Sequence, residues 1–164
     1  MACRGYFLAL DEPLAARLLV HDGDDERLIE FIRDLDMTDD VPDECEVDKA
    51  WDGIHRCLTE GALGGEDGTY PLNAVVLGGL PLHQGEDYVV SYNTPAEVRE
   101  VAAALAGLDL TSFADRYWKL DPDDYGAPVD QDGLAYLTRY LRKITEFYEQ
   151  AAKTGRASVF VVDQ

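Results

Sequence analysis

In the stretch 47–58 the apolar residues recur at helical spacing. Val47, Ala50, Trp51, Ile54 and Leu58 stand at i, i+3, i+4, i+7 and i+11, one face of a 3.6-residue repeat. Gly61 follows the last of them and suits the left-handed position after a helix. The other face carries Asp48, Asp52, His55, Arg56 and Thr59. Asp52 and Arg56 are spaced i, i+4, and such a pair on a helix surface contributes a few tenths of a kcal/mol, roughly 0.2–0.5. Gly53, in the interior, costs roughly 1 kcal/mol against Ala and leaves room for another backbone to come close. Trp51, on the apolar face, is expected to anchor the core.

The same reading extends along the chain. Residues 5–10 form an aromatic and branched strand, and Asp11 then caps a helix with Pro13 in its first turn. A second helix carries Leu28, Ile29, Ile32 and Leu35 on one face, and residues 36–46 read as an acidic, solvated connector. Residues 73–77 and 88–92 read as strands that can pair. Thr94-Pro95-Ala96-Glu97 is a capping box that opens a helix buried through Val98, Val101, Ala102 and Leu105. A short helix is expected over 111–117 and a Pro/Gly-rich loop over 121–131. Asp132 then caps the longest helix, whose stripe is Leu134, Leu137, Leu141, Ile144, Tyr148 and Ala151. Residues 158–162 close the chain as an apolar strand. Strands and helices do not alternate strictly. The class expected is α+β: a single domain over 1–164, with a small mixed sheet of about four strands packed with several helices, the long one preceding the last strand.

Charge narrows the partners. Lys plus Arg number 14 and Asp plus Glu 33, a net charge of −19, which repels phosphate backbones and anionic membranes. The expectation is no nucleic acid and no membrane, with a basic protein as the favoured partner; nothing in the pattern sets an oligomeric state. Cys3, Cys45 and Cys57 are odd in number and form no CxxC pair, as expected of thiols in a reducing cytoplasm. Asp11 and Glu12 interrupt the first apolar run, so no signal peptide is expected, and the longest apolar stretch, 72–82, is far below the ~20 residues of a membrane helix.

Candidate chemistry is sparse. Asp48, Asp52 and His55, at i, i+4 and i+7, share a face of the expected helix, with Lys49 beside them. Two carboxylates and an imidazole could hold a divalent metal or act as an acid–base pair, but a solvated face with one ion pair is the simpler reading. Calcium-loop templates starting at Asp34 and Asp121 each miss ligand positions, and Gly78-Gly79 lacks the pattern of a phosphate loop, so no metal or cofactor is expected. If His55 is structural, one ring nitrogen should donate to Asp52 or to a backbone carbonyl. If it is functional, its free nitrogen should face a pocket lined by residues such as Tyr6, Tyr92 or Tyr125.

Four landmarks occur in a familiar order: Gly5-Tyr6-Phe7, the block Asp48-Lys49-Ala50-Trp51-Asp52-Gly53-Ile54-His55, Pro71-Leu72-Asn73-Ala74-Val75-Val76-Leu77-Gly78-Gly79, and Thr94-Pro95-Ala96-Glu97-Val98. With them the chain resembles the YfbM-like family of bacterial proteins, described as a domain of unknown function. The resemblance spans the whole chain and is weakest over 121–131. It implies a small cytoplasmic α+β domain and no reaction.

Two classes of function remain. One is a non-enzymatic binding module for a basic macromolecular partner, an immunity-type protein for example, with candidate contacts Asp48, Lys49, Asp52 and His55. The other is an enzyme or small-molecule binder with a pocket around Trp51, Asp52 and His55.

Overall fold

The computed structural model describes residues 3–35 and 43–163. Among these residues five strands form one sheet: β1 (Gly5–Leu10), β2 (Asp43–Asp48), β3 (Leu80–Pro81), β4 (Tyr88–Asn93) and β5 (Ala157–Asp163), in the order β2-β1-β5-β4-β3. All four pairings are antiparallel. The α+β class and the long helix before the last strand therefore hold, whereas the sheet is antiparallel and five-stranded, not mixed with about four. The last strand closes the chain in the middle of the sheet, where its ladders to β1 and β4 are both long. That central seat accounts for an almost continuous apolar run.

Alternation along β1 and β5 divides two cores. Phe7, Ala9, Phe160 and Val162 face one layer, made by α3 (Ala50–Leu58), α4 (Pro95–Ala106), α5 (Leu110–Tyr117) and the long α7 (Gln131–Lys153). Leu8, Leu10, Val159 and Val161 face the other, made by the shorter α1 (Glu12–Leu19) and α2 (Asp25–Leu35). Asp11 caps α1 through the Leu14 amide, and Thr94 with Glu97 forms the full capping box of α4. The last short helix is α6 (Pro122–Tyr125).

Several expectations need correction. The connector at 36–46 contains the start of β2: beyond Asp43, the acids Glu44, Glu46 and Asp48 alternate with Cys45 and Val47, and only the latter pair packs on the core. The rest of that connector, 36–42, lies outside the described residues. The helix that follows starts at Ala50, not Val47, so Val47 and Asp48 belong to the strand. Residues 73–77 are not a strand; Leu72–Val75 is a 3-10 turn whose carbonyls bond to side chains in place of a ladder. The Ala74 carbonyl accepts from Asn93 Nδ2 at 2.8 Å, and that of Val75 accepts from the Tyr148 hydroxyl at 2.6 Å. The strand at 88–93 accordingly pairs with β5 and β3. Residues 122–125 are helical, because Asp121 caps Asp123 N–H and Gly126 takes the left-handed φ of 73° that ends the turn. The cap of α7 is Asp130, bonded to the Gly133 amide, not Asp132.

Candidate functional site

The candidate residues cluster where β2 runs into α3, but they do not share one face. Asp48 ends β2 with a left-handed φ of 48°, and this turn separates it from the helix that carries Asp52 and His55. Its carboxylate accepts from the Tyr136 hydroxyl at 2.9 Å and pairs with Arg4 Nε at 3.3 Å. The same Tyr136 oxygen accepts from the Lys49 amide, so one α7 side chain holds the strand-to-helix junction. Burial together with the Asp48 bond pushes the Tyr136 phenol up to about 12, which keeps it a donor to Asp48 at neutral pH. Lys49 is exposed at the crest of the turn.

His55 is fully buried. Its Nε2–H donates to the Gly64 carbonyl at 3.1 Å, the bond expected of a structural histidine, which leaves Nδ1 as a bare acceptor with no partner among the described residues. Burial holds its pKa below the ordinary histidine value, so the ring is neutral. Trp51 is also buried, 4% exposed, with Nε1–H donating to the Cys3 carbonyl at 2.8 Å and its ring against Phe160.

Arg56 is the residue the sequence undervalued. Its side chain is 8% exposed and its Nε donates to Asp52 at 2.7 Å. Its Nη1 donates to the Asp124 carboxylate and its Nη2 to the Asp124 carbonyl, so one guanidinium ties α3 to α6. Gly53 has a related purpose: a Cβ there would meet the Tyr125 hydroxyl at 2.6 Å and Leu137 Cδ1 at 2.8 Å. Side chains, not a neighbouring backbone, occupy that space. Burial and the Asp52 charge push the Tyr125 phenol up to about 12.

These contacts shape a cavity of about 760 Å³ between the start of α3, α6 and the first turn of α7. Asp52, Asp124, Asp130 and Asp132 line it, with Tyr125, Tyr136 and Lys49. Of the four candidates, Lys49 and Asp52 border this cavity, Asp48 stands behind Tyr136, and His55 is elsewhere. Neither Trp51 nor His55 lines it. Asp124 and Asp130 come from the stretch read as a Pro/Gly-rich loop, and Asp132 was read as the cap of the long helix. Their signal was the density of aspartates at helix starts, which reads equally as capping.

Among the described residues no group of three or more His, Cys, Asp or Glu side chains is placed to hold a metal ion. No helix among them is long and apolar enough to cross a membrane.

Comparison with known proteins gives kinship without chemistry. The fold is similar to the crystal structure of YfbM from Escherichia coli, a protein of unknown function, with a TM-score of 0.75 at 18% identity over 97% of this chain and 99% of that one. A search of curated proteins finds no match. The model of the DUF1877 family, a domain of unknown function, matches residues 1–161, and the chain belongs to that family.

Proposed function

We propose that this protein is a non-enzymatic binding module that engages a basic macromolecular partner by taking a cationic side chain into the cavity between α3, α6 and α7. The observation that carries the reading is the convergence of four aspartates from three segments on one cavity that also has tyrosine walls. Asp52 and Asp124 already share Arg56. One guanidinium offsets only one of those two carboxylates; with Asp130 and Asp132, both exposed, added and Lys49 opposed, 4 − 2 leaves a local charge of −2. Two carboxylates outweigh the partial positive charge, about +0.5, of the α7 N-terminus. A guanidinium or ammonium finds charge-assisted acceptors here, and the Tyr125 and Tyr136 rings offer cation–π faces. The net charge of −19 would steer such a partner toward the whole surface and speed its association.

An immunity-type protein that neutralises a basic protein is one member of this class. That Cys3, Cys45 and Cys57 form no disulfide with one another agrees with a cytoplasmic setting. A pocket enzyme built on Trp51, Asp52 and His55 has less support, because Trp51 and His55 are sealed in the core.

The test is calorimetric titration with tetra-arginine amide. Asp130→Asn/Asp132→Asn removes the two surplus charges, and Asn keeps the cap of α7. Two exposed charge contacts are worth about 1–2 kcal/mol together, so affinity should fall about five- to thirtyfold. Glu12→Gln/Asp22→Asn, on the opposite side of the sheet, lowers the charge equally and should leave affinity within about twofold. Equal weakening by both double variants would reduce the binding to diffuse charge and overturn the proposal.

A further inference from the structure

On the other side of Lys49 the local charge reverses. Among the described residues, the α1 and α2 layer leaves one end of that face of the sheet uncovered. There Tyr6 of β1 pairs across the ladder with Val161 of β5, and Tyr88 of β4 with Asp163. Ile29 and Ile32 of α2 overhang them, and a cavity of about 590 Å³ results. Its lining is apolar between Ile29 and Ile32 on one side and Val161 on the other, flanked by Tyr6 and Tyr88.

Its rim is basic. Arg4, Arg33 and Lys49 come from three separate segments, and Asp163 is the acid beside them. Three of the chain's 14 basic residues thus meet at one opening of a protein that carries 33 acids. Arg33 is held in place, with Nη2 donating to the Tyr88 hydroxyl at 2.8 Å and its guanidinium 6.0 Å from that ring's centroid. Arg4 is shared with Asp48. Among the side chains that line this cavity, with Asp48 on Arg4, 3 − 2 leaves an excess of +1, while the adjoining cavity that shares Ile29, Arg33 and Tyr88 is acidic through Asp25, Glu26, Glu30, Asp34 and Asp87.

An apolar pocket of this volume with a few charged groups at one end has the form of a small-ligand site. We propose that it binds a small amphipathic monoanion: an aryl or acyl body lying on Ile29, Ile32 and Val161, with one carboxylate-type charge at Arg33 and Lys49. One negative charge matches the excess at the rim. A dianion would meet the field of the whole molecule with no second excess cation to offset it. A neutral body would forgo the charge-assisted bonds, worth more than neutral ones. The site is distinct from the acidic cavity, with which it shares only Lys49.

The experiment uses 8-anilinonaphthalene-1-sulfonate, a fluorescent aryl monoanion, with decanoate as competitor and N-phenyl-1-naphthylamine as the uncharged analogue. The folded protein should bind one dye per chain, decanoate should displace it, and the neutral analogue should bind at least tenfold more weakly. Arg33→Met/Lys49→Met should weaken dye binding at least tenfold. Arg33→Lys should retain it within about threefold, and Arg99→Met/Lys119→Met, both exposed and outside the α1 and α2 layer, should not change it. Asp130→Asn/Asp132→Asn should leave dye binding intact, so failure here and failure of the acidic-cavity reading are separable. Unsaturable dye uptake, equal affinity for the neutral analogue, or equal binding by wild type and Arg33→Met/Lys49→Met would each overturn the proposal. A melting curve on each variant verifies that it is folded, and Arg33→Lys is the decisive arm if Arg33→Met is not.

Discussion

Replacing Arg56 by Met tests how the candidate cavity is built. An exposed i, i+4 pair contributes about 0.2–0.5 kcal/mol, and this is what the spacing of Asp52 and Arg56 suggests. The fold places the pair differently: the side chains are 8% and 13% exposed, and a second carboxylate, Asp124, completes the arrangement. Breaking a buried pair by removing one partner costs about 3–5 kcal/mol, because the other charge stays behind without compensation. Asp124 is 70% exposed, so its half of the contact is screened and belongs to the 0.2–1 kcal/mol range of surface pairs. Met keeps the aliphatic stem in the core and removes the charge, which leaves Asp52 as the main cost. The expected loss is about 2–4 kcal/mol, read by urea denaturation followed through the fluorescence of Trp51 and Trp118. For a domain of this size that corresponds to roughly 5–15 °C in melting temperature. Arg56→Met/Asp52→Asn removes the stranded charge and should recover at least about 1 kcal/mol of the loss. A loss below about 0.5 kcal/mol, or a double variant no more stable than the single one, would refute the buried-clamp reasoning.

Trp51→Ala should cost about 3–5 kcal/mol, since the ring is buried against Phe160 and its indole N–H is bonded; the same urea titration checks it. Gly53→Ala should destabilise, although on a free helix it would stabilise by about 1 kcal/mol; overpacking against Leu137 and Tyr125 is worth about 1–3 kcal/mol, and a gain in stability would show that those side chains yield freely. His55 is held neutral by burial, so the unfolded chain binds its proton first as pH falls. Stability should therefore be unaffected by this group above about pH 6.5 and decline below it, with a limiting slope of about 1.4 kcal/mol per pH unit. His55→Gln, which keeps a donor for Gly64, should remove that component from a pH series of urea titrations, and an unchanged series would place the titration elsewhere.

What the sequence revealed was set by which interactions are local. The capping box of α4, the stripes of α2, α4 and α7 and the apolar β1 and β5 are legible because periodicity and cap chemistry act within a few residues. The edge strand β2 was missed because its acids swamp the two-residue alternation of Cys45 and Val47. Outward charges on an edge strand block pairing with other chains, so the feature that hid the strand has a structural reason. The buried run at 74–76 imitates a strand because side chains of Asn93 and Tyr148, distant in sequence, satisfy its carbonyls. Of the candidate residues, Lys49 and Asp52 line the cavity, whereas His55, expected on the polar side of its helix, is buried. The apolar face of α3 packs on the sheet, but Gly64, from the loop at 61–68, covers the opposite side as well. Arg56 and Asp124 lie 68 residues apart, and no local pattern announces their contact.

The most direct test of the proposed basic-partner site is to map where a cation binds. Titrating tetra-arginine amide into the isotopically labelled protein and following backbone amide resonances gives that map residue by residue. The account predicts saturable shifts concentrated at residues 49–53 and 124–136, with those of α1 and α2 unmoved. Shifts spread evenly across the acidic surface, or none that saturate, would contradict it.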